Sequence, residues 1–351
     1  MSTESNAAHC VLVTGGAGYI GSHTCCQLLN ADYNTVVADY NAVIIDNFSN
    51  ADPSVVGAIE TITGRRPALI KADLRDAESV RACFDQYPID AVIHFAALKA
   101  VGESTAKPVE YYEHNLLCTS VLVKEMRSRN VKRLVYSSSA TVYGMTNPVP
   151  FREDMPTSAS NPYGWTKVMV EHMLTDLAAS DPEWSIALLR YFNPLGAHPS
   201  GLIGDDPNGV PANLMPYVNK VAAGILPDLP VFGDDYPTRD GTCIRDYLHV
   251  LDLADGHLAA LDYVYNNKGV EAVNLGTGVG YSVLDVIHAY ERASGQKIPY
   301  HIAARRPNNA DSPEAYADPT KAERLYQWKA RRDLDEMCRD SWTFAKTRLI
   351  K

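Results

Sequence analysis

The chain alternates short apolar runs with longer stretches that can form helices. The first run, residues 10–13, ends in a glycine-rich turn at 14–21, and helix-compatible sequence follows over 22–29. Further apolar runs occur at residues 43–45, 68–70, 91–95, 134–136 and 187–189. Alternating strands and helices predict an α/β fold with a doubly wound parallel sheet of the Rossmann type.

The rhythm of the sequence changes after about residue 190. Gly- and Pro-rich loops such as 199–211 and 226–241 are interleaved there with short helical pieces. We therefore expect two domains, a Rossmann domain over residues 9–189 and a smaller α/β substrate domain over 190–351, with some later segments crossing back to the sheet. The cleft between two such domains is the expected site.

A tandem echo precedes the second predicted strand. Residues 31–37, ADYNTVV, are followed at once by residues 38–44, ADYNAVI. Since only one copy can be the second strand, we expect the other copy to be a surface loop extension after the first helix.

Composition narrows the class of protein. The 351 residues carry a formal net charge of −10, which disfavours binding to nucleic acid or to an anionic membrane. No window approaches the ~20 apolar residues of a membrane span. The 7 cysteines include no paired CxxC spacing, so we expect no disulfide frame, no metal site and a reducing cytoplasmic location.

The glycine-rich turn has the spacing of a phosphate-binding loop. Gly15, Gly18 and Gly21 follow the first strand, where glycines permit a tight turn and let a helix N-terminus face a pyrophosphate. The acid for the adenosine ribose is Asp46 or Asp39: Asp46 closes the more apolar run, and Asp39 lies nearer the usual offset. An acid in either place repels a 2′-phosphate, so NAD is expected rather than NADP.

A tyrosine and a lysine form the candidate catalytic pair. Tyr163 and Lys167 are four residues apart and so share one face of a helix. A neighbouring ammonium favours the phenolate, which should lower the pKa of Tyr163 toward neutrality and make it a general base. Upstream, the hydroxyl-rich run 137–141 follows a predicted strand and should lie at the carboxyl edge of the sheet, where ligands bind.

Taken together, the segments 14–23, 137–144, 163–167, 190–193 and 245–246 resemble the UDP-glucose 4-epimerases, a branch of the extended short-chain dehydrogenase/reductases. The resemblance covers residues 11–342. It implies an isomerase of galactose metabolism that inverts carbon 4 of UDP-glucose and UDP-galactose, with NAD as cofactor and a transient 4-keto sugar. It also suggests a homodimer packed through helices near 109–127 and 163–177.

The resemblance assigns a role to individual residues. Tyr163 would be the base, Lys167 would lower its pKa and hold the nicotinamide ribose, and Ser139 would bridge the phenol to the sugar hydroxyl. Implied cofactor residues are Gly15, Gly18, Tyr19, Ile20, Gly21, Asp46, Asn47, Asp73, Leu74, Phe95, Ala96, Ala97, Lys99, Asn115, Ser137, Tyr163, Lys167 and Tyr191. Implied substrate residues are Lys99, Ser139, Ala140, Thr141, Tyr163, Phe192, Asn193, Asn213, Leu214, Phe232, Arg245, Arg306, Asp311 and Ala315.

Three features depart from the family pattern. The echo lengthens the region before the ribose acid, residues 308–309 look inserted between Arg306 and Asp311, and Cys243 stands where glycine is usual. Where the family's residue size gates room for an N-acetyl group, this chain has Ala315. We therefore expect UDP-N-acetylglucosamine to be accepted as well.

Two other functions are compatible with the same fold. A sugar-nucleotide dehydratase or decarboxylase of this superfamily would carry an acid just after the strand-end hydroxyl, but Ala140 and Thr141 offer none. A non-catalytic cofactor sensor would be expected to lose the tyrosine, lysine or serine first, and this chain retains all three. The sequence therefore favours the epimerase.

Overall fold

The structure is a computed structural model that describes residues 9–30, 40–209, 211–306 and 311–350. Its strands are β1 (His9–Thr14), β2 (Tyr40–Asp46), β3 (Ala68–Lys71), β4 (Ala91–His94), β5 (Arg133–Ser137), β6 (Ser185–Tyr191), β7 (Asn193–Leu195), β8 (Leu229–Phe232), β9 (Ile244–His249), β10 (Gly269–Leu275), β11 (Gly280–Ser282), β12 (Tyr300–Ala303) and β13 (Glu314–Ala315). Within these ranges, no helix combines the length and the apolar character needed to cross a membrane.

Eleven α-helices connect or cover these strands in the described part of the chain. They are α1 (Tyr19–Leu29), α2 (Val55–Thr63), α3 (Ala77–Gln86), α4 (Val101–Ala106), α5 (Pro108–Ser128), α6 (Pro162–Ser180), α7 (Leu214–Ala222), α8 (Val250–Asn266), α9 (Val283–Ser294), α10 (Thr320–Tyr326) and α11 (Leu334–Arg348). One further turn of 3₁₀ helix spans Ala140–Val142 directly after β5.

Seven parallel strands form the main sheet in the order β10-β6-β5-β4-β1-β2-β3. The chain moves outward in one direction through β2 and β3, then returns past β1 to β4 and continues the other way. This reversal beside β1 opens a crevice at the carboxyl ends of the strands, where ligands bind in such folds. The predicted α/β Rossmann-type fold is confirmed.

Side-chain alternation explains why the strands read as continuous apolar runs. In β1, Val11 and Val13 pack in a core on one face of the sheet with Cys25 of α1, while Leu12 packs on the opposite face with Val80 of α3. Both faces are covered by helices, so consecutive residues are buried in turn. The two resulting cores hold the strand ends, and hence the site, in fixed positions.

The last strand of the main sheet comes from late in the chain. Strand β10 pairs in parallel with β6, from Gly269 opposite Ser185 to Leu275 opposite Tyr191. The predicted boundary at residue 190 falls inside β6, which runs from 185 to 191. The division into two domains stays a prediction, and β10 is a segment of the second half that lies in the first sheet.

The remaining strands build a smaller layer around β9. Strand β9 pairs with β7, β11 and β13, and β8 pairs with β12. A separate core lies here, in which Val218 of α7, Tyr290 of α9 and Met337 of α11 pack together. This core supports the loops that face the carboxyl edge of the main sheet.

The echo is divided by the start of β2. This strand begins at Tyr40, inside the second copy, and ends at Asp46. The first copy and Asp39 lie outside the described residues, so the predicted loop extension stays a prediction.

The buried histidines of the described residues include His23 in α1, His94 in β4 and His257 in α8. Burial lowers the pKa of His23 and His94 to about 3 and that of His257 to about 4. The Nε2 atoms of His23 and His257 have no hydrogen-bond partner among the described residues. All three imidazoles are therefore neutral in the folded protein at pH 7.

Acid should destabilise the fold through these histidines. The unfolded chain takes up their protons near pH 6.5 and the folded chain only far below it, so the free energy of unfolding falls as pH drops below about 6.5. Each group adds up to about 1.4 kcal/mol per pH unit. We expect His257→Leu to flatten the curve between about pH 6.5 and 5 by up to that slope in urea titrations. Equal slopes in the two proteins would contradict this account.

Candidate functional site

A cleft of about 390 Å³ opens at the carboxyl ends of the main-sheet strands. It is bounded by the turn after β1, the ends of β2 to β6, the loop at 202–207 and the last turns of α11. Of the residues predicted for cofactor or substrate, those lining it are Gly15, Gly18, Tyr19, Ile20, Gly21, Asp46, Asn47, Asp73, Leu74, Phe95, Ala96, Ala97, Lys99, Ser137, Ser139, Thr141, Tyr163, Lys167, Tyr191, Phe192, Asn193 and Asn213.

The glycine turn has no room for side chains. Gly15 has a φ of +67°, and a Cβ atom there would lie 2.9 Å from the backbone nitrogen of Ala96. A Cβ on Gly21 would overlap the carbonyl oxygen of Gly15. Helix α1 starts at Tyr19 without a side-chain cap from Gly18, so its first backbone N–H groups are available to an anion.

Asp46 ends β2 and its carboxylate is held by the backbone. The carboxylate accepts hydrogen bonds from the N–H groups of Phe48 at 2.8 Å and Ala17 at 3.1 Å. Burial raises the pKa of Asp46, and these two bonds lower it. Because Asp46 is tied to the glycine turn and lines the cleft, it is well placed for the ribose. The competing candidate, Asp39, lies outside the described residues.

The carboxylate of Asp73 has all its acceptor positions filled. Arg75 donates from Nε at 3.0 Å, from Nη2 at 2.8 Å and from its backbone N–H at 2.9 Å, and Asn47 donates at 3.2 Å. These bonds, those from Arg75 above all, hold the pKa of Asp73 well below its usual range. His114 and Cys118 place donor atoms within 4.8 Å of this carboxylate. Since four donors already use its four lone-pair sites, the three groups do not form an available metal site.

Helix α6 brings the candidate catalytic pair to the end of β5. The helix begins at Pro162, where the side chain of Asn161 caps it by accepting from the N–H of Gly164 at 2.9 Å. In its first turns, Lys167 Nζ donates to the carbonyl of Ser137 at 2.7 Å and lies 5.8 Å from the centre of the Tyr163 ring. The Ser139 hydroxyl lies near the Tyr163 phenol and lowers its pKa. The structure therefore brings the phenol, ammonium and serine hydroxyl together.

The expected lowering of the tyrosine pKa is wrong for the protein alone. Burial raises the pKa of Tyr163 to about 12, and only the Ser139 hydroxyl lowers it. Burial likewise lowers the pKa of Lys167 to about 7, against the raising effect of Glu171. Desolvation disfavours both charged forms, and the ammonium is bonded to a backbone carbonyl rather than to the phenol.

A second cluster lies outside the set of residues that line the cleft. The carboxylate of Asp311 accepts from Arg245 Nη2 at 3.2 Å and from Arg306 Nη1 at 3.4 Å. The Arg306 guanidinium lies 4.6 Å from the ring centre of Phe232. Ala315 is paired with Arg245 between β13 and β9. Two guanidinium groups against one carboxylate leave net positive charge, which suits an anionic ligand.

Three other predicted residues also do not line the cleft. Asn115 is buried, and its amide accepts from the N–H of Leu98 at 2.8 Å and donates to the carbonyl of Leu98 and the hydroxyl of Thr166, both at 3.0 Å. It therefore supports the loop that carries Lys99. Ala140 begins the 3₁₀ turn and Leu214 begins α7. The apparent insertion at 308–309 lies outside the described residues.

One ion-pair network at the mouth of the cleft was not predicted from the sequence. Arg348, near the end of α11, donates to Asp52 at 2.6 Å and to Asp206 at 3.3 Å. All three line the cleft, together with Asp205 and Phe344. Arg348 and Asp52 are 296 residues apart, and no local pattern links positions at that separation.

Fold and cleft together define a Rossmann-type protein whose glycine turn and uncapped helix N-terminus face a ligand site. Residues 11–276 match the model of the NAD dependent epimerase/dehydratase family. The chain belongs to this family.

Relatives and solved structures match nearly the whole chain. A UDP-glucose 4-epimerase of Bacillus subtilis is 55% identical over 332 residues, which is 95% of each chain. The structure of a UDP-glucose 4-epimerase from Bifidobacterium longum with NAD+ and UDP has a TM-score of 0.92 and 50% identity, covering 97% of this chain and 98% of that one. A UDP-Glc/GlcNAc 4-epimerase from Campylobacter jejuni has a TM-score of 0.82 and 34% identity, covering 97% and 100%.

Proposed function

We propose that this chain is a UDP-glucose 4-epimerase, an NAD-dependent isomerase that interconverts UDP-glucose and UDP-galactose by inverting carbon 4 of the hexose. The observation that carries the proposal is the meeting of Ser139, Tyr163 and Lys167 in one cleft with the glycine turn. Relatives of the same length that carry this name, at 55% identity in Bacillus subtilis, support it.

The cleft fits a dinucleotide. The turn at Gly15 and Gly21 admits no Cβ atom and so lets a pyrophosphate approach the backbone. Asp46 offers a carboxylate to the adenosine ribose, and Asp73 with Leu74 lies where the adenine would sit. Lys167 and Tyr191 line the same cleft and would hold the nicotinamide half of the cofactor.

The chain's own groups move the proton of the reaction. Bound NAD supplies a hydride acceptor and a positive charge beside Tyr163, and such a charge lowers a neighbouring phenol's pKa. The Tyr163 phenolate takes the proton of the sugar's 4-hydroxyl through Ser139 and later returns it. Inversion would require the sugar to turn over in the cleft between these two proton transfers, so that the opposite face of carbon 4 takes its hydrogen back. No net oxidation results.

Two arginines anchor the sugar nucleotide during this turn. Arg245 and Arg306 offer planar guanidinium groups that suit a diphosphate. Asn213 lines the cleft and Leu214 follows it at the start of α7. Phe232, stacked against Arg306, gives the uracil side an apolar surface. Asp311 holds the two guanidinium groups near each other.

The position after the strand-end serine disfavours the dehydratase and decarboxylase alternatives. Thr141 lines the cleft, and its hydroxyl oxygen is buried without a hydrogen-bond partner in the described part of the chain. This hydroxyl can bind a sugar oxygen but cannot abstract a ring proton, for which a base such as a carboxylate is needed. The rival reactions therefore lack their second base.

We expect Tyr163→Phe to reduce turnover of UDP-galactose by about 10²- to 10⁴-fold, because the variant lacks the proton acceptor. The assay uses purified protein without added cofactor, and denaturation followed by NAD analysis measures the cofactor content. Tyr300→Phe, an exposed tyrosine on β12, is the matched control and should keep full activity. Full activity in Tyr163→Phe would remove the assigned base, and a wild-type chain without NAD and turnover would refute the function.

We further propose that UDP-N-acetylglucosamine is a substrate. Ala315 is small, half-buried and paired with Arg245, so little side-chain volume stands on this side of the sugar nucleotide. The Campylobacter jejuni relative, whose name includes both sugars, makes this activity reasonable.

Substituting a large residue at this position tests the N-acetyl proposal. We expect Ala315→Tyr to lower the turnover of UDP-N-acetylglucosamine at least ~10-fold relative to UDP-galactose, because an added ring occupies the space for the acetyl group. Ala315→Ser keeps the residue small and should preserve the ratio of the two activities. Wild-type protein that turns over UDP-galactose but not the N-acetylated sugar would contradict the proposal.

We propose that the protein forms a homodimer through α5 and α6. Large apolar side chains are exposed on both helices: Val109 is 70% and Leu117 39% exposed on α5, and Trp165 is 39% and Met169 42% exposed on α6. The two helices are adjacent, joined by the bond between Asn115 and Thr166. An apolar surface of this kind favours association with a second copy.

We expect Leu117→Glu and Met169→Glu to convert a dimer into monomers, since each places a charge in an apolar contact. Light scattering coupled to size-exclusion chromatography measures the mass. Ile225→Glu changes an equally apolar residue that is 53% exposed outside these helices, and it should remain dimeric. A monomeric wild-type protein at micromolar concentration would rule out this assembly.

A cytoplasmic location is also proposed, on the state of the cysteines. All seven are buried free thiols, and burial raises the pKa of several, including Cys26 and Cys83, to about 12. Reduced, unreactive thiols suit a reducing compartment.

A further inference from the structure

Helix α6 presents a third chemically active residue on the face that carries the proposed catalytic pair. Tyr163, Lys167 and Glu171 follow one another at four-residue steps, which places them on one side of the helix. The side chain of Glu171 is 7% exposed. The proposed reaction uses the tyrosine and the lysine and leaves this buried carboxylate without a role.

The Glu171 carboxylate joins the ends of two neighbouring strands. Ser138, just past the end of β5, donates to Oε1 at 2.5 Å. Arg190, the next-to-last residue of β6, donates from Nε to Oε1 at 3.0 Å and from Nη2 to Oε2 at 2.6 Å. A buried carboxylate with a bidentate arginine and a hydroxyl donor has strict geometry. It therefore fixes α6 relative to both strand ends.

Three consecutive serines divide the contacts to α6 and β6 among themselves. The Ser137 carbonyl accepts from Lys167, and its hydroxyl bonds the Tyr191 hydroxyl. The Ser138 hydroxyl donates to Glu171, and the Ser139 hydroxyl lies near Tyr163, whose pKa it lowers. Ser138 is the middle residue, so holding it determines where its two neighbours stand.

We infer that Glu171 is a positioning residue of the epimerase, which acts through Ser138 to hold Ser139 and through its charge to keep Lys167 an ammonium. The inference rests on the proposed function. Glu171 contacts neither ligand nor reacting atoms in this role. Its effect on the reaction passes through the serine turn and the lysine.

The charge effect can be traced through the groups around Lys167. Its ammonium lies 4.9 Å from the Tyr136 ring centre on β5 and 5.8 Å from that of Tyr163 on its own helix. His94 on β4, kept neutral by burial, also faces it. Glu171 is the negative group that raises the pKa of Lys167. Arg190 balances Glu171 from β6, so removing the carboxylate alone leaves a nearby positive charge uncompensated.

Two variants separate the two parts of this role. Ser138→Ala removes the hydroxyl link and leaves the ion pair intact; we expect kcat for UDP-galactose to fall about 10-fold while KM stays within about twofold. Glu171→Gln removes the charge; we expect the alkaline limb of the kcat–pH profile, where Lys167 loses its proton, to move to lower pH by about one pH unit.

Glu125→Gln is the matched control for the loss of a buried carboxylate. Glu125, on α5, is 8% exposed. Its carboxylate is paired with Arg129 at 3.1 Å and with Arg81 at 3.4 Å. It should lower Tm as Glu171→Gln does and keep the wild-type kcat and pH profile. If both glutamate variants lose Tm alike and both keep the wild-type profile, Glu171 is only structural and the inference is overturned.

Two further outcomes also test the role of Glu171. If Glu171→Gln does not fold, Ser138→Ala tests the link alone, and a wild-type kcat in that variant overturns the inference. If wild-type protein shows no turnover, the proposed function fails by itself. The role is then measured by ¹⁵N NMR titration of Lys167 Nζ, assigned with Lys167→Arg. The lysine must titrate at lower pH in Glu171→Gln than in wild type; identical titrations overturn the inference.

Discussion

The hydrogen bond from Lys167 Nζ to the Ser137 carbonyl is the contact on which the site depends. A buried ammonium without an acceptor would be strongly disfavoured, so this 2.7 Å bond specifies where α6 stands against the sheet. The acceptor is the carbonyl of Ser137, the last residue of β5. In the same strand, Leu134 and Val135 are fully buried in opposite cores. The packing of the sheet therefore determines the positions of the Ser137 carbonyl and of Lys167.

Burial favours the neutral forms of Tyr163 and Lys167, whereas the proposed reaction needs a phenolate and an ammonium. Desolvation raises the pKa of Tyr163 to about 12 and lowers that of Lys167 to about 7, so each group on its own favours the neutral form. A phenolate base then requires added positive charge, which cofactor binding would bring. Proton transfer in the proposed reaction is therefore coupled to occupancy of the cleft.

Local sequence patterns were sufficient for much of the fold and for one half of the site. Six apolar runs correspond to β1 to β6. Strands that are buried on both faces are apolar throughout, whereas the edge strand β3 is partly exposed. The glycine turn and the Tyr163–Lys167 pair, whose spacing reflects local geometry, both line the cleft. Pairing of β10 with β6 and of Arg348 with Asp52 joins distant positions, for which spacing carries no information. The direction of the Tyr163 pKa was missed because desolvation depends on tertiary packing.

The late origin of β10 has a consequence for synthesis on the ribosome. Residues 192–275 separate the end of β6 from the end of its neighbour, and their translation takes roughly 4–17 s at ~5–20 residues per second. During that interval the nascent sheet ends at β6, whose free backbone groups can pair with another chain. The edge of β6 must therefore be shielded until β10 has been synthesised. A shortened chain that ends before residue 269 would be expected to aggregate.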